Sequence, residues 1–159
     1  MTKQETTLVF VHRKAIFPVN YASEHAARMG YRVVVVGEEG WDFRGCENLL
    51  ISDLDEGCEA FRDIYIHSSP NNPAYETFCF ERWIILRNLL RQTSMKNVIY
   101  VDSDALVFDG VEEISALSDG KMLDTPYLNF FSSAEQAELV VDELMTTFQD
   151  SDTRKTHSA

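Results

Sequence analysis

Asp102 and Asp104, separated by Ser103, carry the strongest chemical signal in the chain. They directly follow the apolar run Val98-Ile99-Tyr100-Val101, so the first carboxylate lies where a buried strand ends. Two carboxylates two residues apart on an extended or turning backbone can converge on one hard cation. Oxygen ligands of this kind suit Mg²⁺ or Mn²⁺, and such a cation grips a diphosphate. The plainer alternative is an acidic turn that caps the strand. Elsewhere the chemistry is sparse. Cys46, Cys58 and Cys79 are odd in number and show no C-x-x-C spacing, which predicts reduced, buried thiols. His12, His25, His67 and His157 show no H-x-x-x-H spacing.

The elements that position these residues follow from hydrophobic patterning. Leu8-Val9-Phe10-Val11 and Val33-Val34-Val35-Val36 are continuous apolar runs, the pattern of strands buried on both faces. Between them, Pro18 suits a helix start, Val19, Ala22, Ala26 and Met29 form a stripe, and Gly30 fits the position just past the end. This is a βαβ unit. Residues 38–48 read as a loop and Leu49–Ile51 as a short strand. From Leu54, the positions Cys58, Phe61 and Tyr65 predict a helix that stops around His67. Asn72 as N-cap with Pro73 at the first helical position predicts a long helix to about Arg91. Its stripe is Cys79, Trp83, Leu86 and Leu90, widened by Phe78, Ile85 and Leu89. The strand Val98–Val101 comes next, then a turn at Asp109-Gly110 and a short helix over 111–117. Ser133 and Gln136 have capping-box spacing and open a helix with Ala137, Val140, Val141, Leu144 and Phe148 on one face. The expectation is a single α/β domain over 1–148 with a mainly parallel sheet flanked by helices, and a polar, disordered tail over 149–159.

In open α/β sheets, ligands sit beyond the carboxyl ends of the strands. Three such ends are identifiable: His12-Arg13-Lys14, Gly37-Glu38-Glu39 and Asp102-Ser103-Asp104. No G-x-G-x-x-G follows the first strand and no G-x-x-x-x-G-K-[ST] occurs, which disfavours a dinucleotide fingerprint and a P-loop.

Charge narrows the ligands further. The 159 residues carry a formal charge of -12. Residues 1–101 hold 13 acids and 11 bases, whereas 102–159 hold 13 acids and 3 bases. A surface this negative repels phosphate backbones and anionic lipid heads, so nucleic-acid or membrane-surface binding is disfavoured. A phosphorylated ligand needs positive charge imported to the site, and a cation on Asp102 and Asp104 supplies it. With no basic flank and apolar run at the N-terminus and no apolar stretch of transmembrane length, the expectation is a soluble, cytoplasmic protein.

The run Tyr75–Leu90 (YETFCFERWIILRNLL) followed by NVIYVDSDALVFDGV resembles the central segment of nucleotide-sugar-dependent glycosyltransferases of the GT-A fold. There a helix bearing an aromatic-x-Arg turn precedes a buried strand and its D-x-D motif. LVFVH at Leu8–His12, the run to Gly37 and the turn SSPNNP also match members acting on GDP- or UDP-sugars, and the resemblance spans about residues 7–148. It implies a GT-A-like, Rossmann-like sheet and a Mn²⁺ or Mg²⁺ cofactor. Asp104 would be the principal metal ligand, with Asp102 on the ribose and assisting the metal. Ser103, within the motif, would also contact the nucleotide-sugar. Arg82 falls where the family faces the diphosphate or donor sugar, the alternative being a surface ion pair with Glu81 or Glu76. His12 falls where the base is held, the alternative being a histidine that merely ends a strand. Asn129, in the segment Pro126–Phe131, falls near the donor sugar, the alternative being a turn or strand-end role. The partners implied are a UDP- or GDP-sugar and an unidentified acceptor. The chain is short for the family, and His157 in the tail is no counterpart of the late His or Asp that often completes the metal shell. Nucleotide binding is therefore better supported than turnover, and Asp124 is only a nominal choice of base.

Two other classes compete. Phosphatases of the haloacid dehalogenase type also place D-x-D after a buried strand, but near the N-terminus and with Thr or Val two residues later, where this chain has Leu106. A noncatalytic GT-A-like domain would bind nucleotide alone, or partner proteins through Trp41, Phe43, Phe130 and Phe131.

Overall fold

In a computed structural model, which describes residues 2–14, 17–113 and 127–150, the apolar runs become the centre of one mixed sheet. Its strands are β1 (Thr7–Val11), β2 (Arg32–Gly37), β3 (Glu47–Leu50), β4 (Val98–Val101) and β5 (Leu128–Phe131). They lie in the order β3-β2-β1-β4-β5, all pairs parallel except the antiparallel β4–β5. Val9 pairs with Val34 on one side and Tyr100 on the other.

Helices cover both faces, which is why β1, β2 and β4 read as continuous apolar runs rather than alternating ones. Leu8, Phe10, Val33, Val35 and Ile99 pack with α1 (Val19–Arg28). Val9, Val11, Val34, Val36 and Tyr100 pack under α2 (Cys58–Ile64), α3 (Pro73–Thr93) and α4 (Ala134–Gln149). On that second face Phe148 meets Phe61 and Phe80 edge-on, with centroids 5.4 and 5.2 Å apart. Such contacts add about 0.5–1.5 kcal/mol each beyond area burial and fasten α4 to its neighbours.

Local signals hold in several places. Gly30, at φ +89°, lies just past α1, its amide on Ala27 O (3.0 Å) while Tyr31 N reaches Ala26 O (3.3 Å). That pair of bonds satisfies the last carbonyls of α1. The Asn72 side chain accepts from Ala74 N (3.0 Å) and Tyr75 N (3.3 Å), with Pro73 opening α3. Cys58 is a buried free thiol, but Cys46 and Cys79 are only half-buried, which corrects the expectation for those two.

Other boundaries move. A helix running from Leu54 would carry Gly57 in its interior; instead Gly57 adopts φ +91° and α2 starts after it. At its other end Tyr65 turns extended and puts its ring against Phe61, Phe80 and Phe148, so the helix ends at Ile64 rather than near His67. Strand β3 begins two residues before Leu49, inside the expected loop, and Ile51 already belongs to a 3₁₀ turn, Ile51–Asp53. As an edge strand, half-exposed, β3 lacks the apolar pattern that marks the central ones. The capping box at Ser133 does not form: Ser133 makes no side-chain cap bond, and Gln136 Oε1 accepts from Ser132 N (2.6 Å) instead. Of the helix expected over 111–117, Val111–Glu113 is a 3₁₀ turn and the rest lies outside the described residues, as do Asp124, His157 and all of the tail beyond Asp150.

Helix α3 departs most from its stripe. Burial runs almost all the way round, taking in Glu81, Arg82 and Asn88 as well as Trp83, Ile84, Ile85, Leu86, Leu89 and Leu90. Asn88 is satisfied there by donating Nδ2 to Leu54 O (2.7 Å) and Glu56 O (2.9 Å), which ties α3 to the segment before α2. Among the described residues no helix is long and apolar enough to cross a membrane.

Candidate functional site

The sheet order reverses at β1, whose neighbours β2 and β4 are reached by connections running in opposite directions. At such a switch point the loops leaving the strand ends diverge and open a crevice. The ends that meet there are His12-Arg13 from β1 and Asp102-Ser103-Asp104 from β4.

Asp102 is pinned on three sides. Its amide donates to Tyr127 O (2.8 Å) at the entry to β5, and its carbonyl accepts from Ala105 N (3.0 Å), closing a tight turn over 102–105. Its Oδ1 accepts from Ser103 N (2.9 Å) and from Arg82 Nη1 (3.3 Å). Ser103 is buried by this turn and Asp104 is exposed. Below the turn, Tyr31 donates to Glu112 (2.5 Å) and Lys3 pairs with Asp109, so the segment leaving the motif is tied to the opposite end of the sheet. Burial, then the bond to Glu112, pushes the Tyr31 hydroxyl well above its ordinary pKa, so it stays a donor.

Arg82 comes to Asp102 from α3. It is 8% exposed, with its guanidinium 5.3 Å from the ring centroids of both Trp83 and Tyr100. Burial works against its charge, but Tyr100, Asp102 and Cys79 outweigh that and hold its pKa above the ordinary arginine value. The neighbouring Tyr100 hydroxyl is pushed strongly upward by burial. Arg82 is therefore neither on the surface nor paired with Glu81 or Glu76, which corrects that alternative.

Side-chain alternation separates the remaining candidates. Asp102 continues the row of Tyr100, facing α3, whereas His12 continues the row of Leu8 and Phe10, facing α1. The His12 ring lies 6.0 Å from Trp41, and its amide extends the β1–β2 pairing to Val36 O (3.0 Å). A Cβ at Gly37 would fall 2.0 Å from the Trp41 ring, so a glycine there is what lets the indole lie on the end of β2. Asn129 is fully buried within β5, directly opposite Tyr100, rather than in a turn or at a strand end. Arg82, Asp102 and Ser103 thus come together, Asp104 follows on the exposed side of the turn, Asn129 lies one strand away, and His12 faces the other layer. Phe43, Phe130 and Phe131 are core residues and Trp41 is half-buried, so these aromatics do not form an exposed docking surface.

A cavity of about 300 Å³ opens beside this crevice at the ends of β1, β2 and β3, lined in part by Arg13, Gly37, Glu38, Glu39 and Asp55. Among the described residues no three His, Cys, Asp or Glu side chains converge as a metal cage. The donor chemistry at Asp102 and Asp104 still fits a small divalent ion, since Mg²⁺ is typically held by one or two carboxylates plus substrate phosphates and water.

The sequence reading considered Glu81 only as a surface partner for Arg82 and missed its buried role. It is 1% exposed in the middle of α3 and bonded to both Arg13 and Arg62. The available signal was a Glu-Arg pair embedded in an apolar helical segment, where each charge demands a partner. Comparison of the chain with protein-family models, with curated proteins and with solved structures returns no match.

Proposed function

We propose that the chain is the nucleotide-sugar-binding core of a metal-dependent glycosyltransferase, which takes a UDP- or GDP-sugar at the carboxyl ends of β1 and β4. The observation that carries this reading is the D-x-D turn at the sheet's switch point, with Arg82 delivered to Asp102 from the buried helix α3. The parallel β3-β2-β1-β4 sheet with an antiparallel strand after the D-x-D motif supports it, as does the resemblance of residues 75–111.

Asp102 and Asp104 would hold Mn²⁺ or Mg²⁺, which when bound neutralises the charge that develops on a departing diphosphate. Arg82 adds a fixed cation on the same side. Because its guanidinium already rests against the contacting rings of Trp83 and Tyr100, it needs little reorganisation to meet the phosphate oxygens. Two hydrogen bonds to Oδ1 and two to its backbone hold Asp102 in place, and the exposed Asp104 is open to solvent and ligand. The nucleoside would occupy the cavity at the ends of β1 to β3, where Glu38, Glu39 and Asp55 accept hydrogen bonds from ribose hydroxyls or base N–H groups.

Thermal-shift and calorimetric titration with UDP-, GDP- and ADP-sugars, with and without Mn²⁺, tests this. The expected result is metal-dependent binding of one nucleotide, absent in Asp104→Ala. Unchanged affinity in that variant overturns the metal assignment. Binding without transferred or hydrolysed sugar, across a panel of acceptors, reduces the protein to a nucleotide-binding domain. Turnover of p-nitrophenyl phosphate favours the phosphatase class instead.

A further inference from the structure

A second charged cluster lies on the α2 side of α3. The Glu81 carboxylate accepts from Arg13 Nη1 (3.3 Å) through Oε2 and from Arg62 Nε (2.5 Å) through Oε1. Its two oxygens are thus divided between guanidiniums delivered by the end of β1 and by α2. Glu81 is 1% exposed, but the side chains of Arg13 and Arg62 keep 25% and 45% of their surface in solvent. They line a cavity of about 220 Å³, whose other walls include Tyr65, Ala74 and Thr77.

Two arginines against one buried carboxylate leave these three groups with a charge of +1, and Asp55 is the next acid in the field of Arg62. This excess stands against the field of a chain with net charge -12, where a solvated cation gains nothing from being gathered next to another. Most N–H donors on both guanidiniums are not used by Glu81, because each donates to it through a single nitrogen. Part of the geometry is set before any ligand arrives. Arg13 lies 4.7 Å from the centroid of Phe78, and Thr77 is committed to Pro73 O (2.8 Å). Two held planar forks facing one cavity are the arrangement that recognises a tetrahedral dianion by paired, charge-assisted hydrogen bonds.

We infer that Arg13 and Arg62, held apart on the buried Glu81, form a phosphoryl-binding site that works without a metal ion and is separate from Asp102 and Asp104. Its ligand is a phosphate monoester or the terminal phosphate of a larger molecule. Glu81 is a positioning residue: it sets the spacing of the two forks and offsets their mutual repulsion. The inference does not rest on glycosyl transfer.

The test is titration of the full chain with inorganic phosphate in the presence of EDTA, read by calorimetry, with acetate and chloride at matched ionic strength. Saturable phosphate binding is expected, weakened at least tenfold in Arg62→Gln and in Arg13→Gln. Arg91→Gln, at the far end of α3, and Asp104→Ala should bind as the parent does. Arg62 is nearly half exposed, so Arg62→Gln keeps the fold and is the deciding variant, with circular dichroism checking both. Absence of saturable binding in the parent, an unchanged affinity in folded Arg62→Gln, or an equal loss in Arg91→Gln overturns the site. Acetate bound as tightly as phosphate overturns the phosphoryl assignment. Because EDTA is present throughout, failure here leaves Mn²⁺-dependent nucleotide binding untouched, and failure of that binding leaves this site standing.

Discussion

Glu81 and Arg82 are consecutive residues of α3, both buried, and they build two opposite environments about 100° apart around the helix. Glu81 is a buried anion flanked by two partly solvated cations. Arg82 is a buried cation resting against two contacting aromatic rings, with one carboxylate from β4 and an exposed aspartate beyond it. Under the two proposals above, the first would attract an anion directly and the second only with a cation on the carboxylates. Position on one helix therefore does not make two charges a pair. The neighbouring strand end decides what each one does: β1 brings Arg13 to Glu81, and β4 brings Asp102 to Arg82.

The largest expected effect comes from removing the shared anion. Glu81→Ala leaves two guanidiniums facing each other in a partly buried site and should destabilise the chain by about 3 kcal/mol, toward the low end for a broken buried pair because both arginines reach water. Urea unfolding measures it. Arg62→Ala, by contrast, should cost about 1 kcal/mol, since Arg13 still pairs with Glu81 and Arg62 is nearly half exposed. Equal losses would mean that the cluster is a structural clamp and not an open site.

On the Arg82 side the two aspartates should separate stability from binding. Asp102→Ala removes the acceptor for Arg82 Nη1 and Ser103 N, at a cost of about 2 kcal/mol, together with Mn²⁺-dependent nucleotide affinity. Asp104→Ala should shift stability by less than about 0.5 kcal/mol, as an exposed residue, yet abolish the same affinity. Paired denaturation and calorimetry on both variants check this, and a large stability loss in Asp104→Ala would break the distinction.

The smallest effect is read by two cysteines that flank the pair. Burial, with Glu81 next, pushes the Cys58 thiol up to about 12. Burial also raises Cys79, and Arg82 offsets only part of that rise. A raised pKa keeps a thiol protonated and unreactive until the pH approaches it. Between pH 7 and 9, Cys79 should therefore react with a disulfide reagent faster than Cys58, with rates rising with pH. Arg82→Gln should slow Cys79, and Glu81→Gln should speed Cys58. A reversed order would contradict the charge assignment around α3.

The parallel strands were legible because continuous Val, Leu and Ile runs have one economical use, burial on both faces of a sheet. The Asn72-Pro73 start of α3 and the glycine after α1 were legible because caps are local chemistry. The end of α2 was not, since Tyr65 leaves the helix to join rings from α3 and α4 that are distant in sequence. The Ser133 capping box had the right spacing but lost to a bond from the preceding amide. Within the candidate site, the D-x-D turn was visible because both carboxylates sit in one short segment. The partnership of Arg82 with Asp102 was not visible, because it spans twenty residues and depends on how far α3 rotates about its axis.

By itself, then, the sequence determined an α/β chain with a buried strand leading into Asp102-Ser103-Asp104, because apolar periodicity and turn chemistry act over a few residues. Only the tertiary structure decided which charges meet. Burial forces each ionised group to find a counter-charge, and the available ones are set by strand order and helix rotation, neither of which is a local property of the chain.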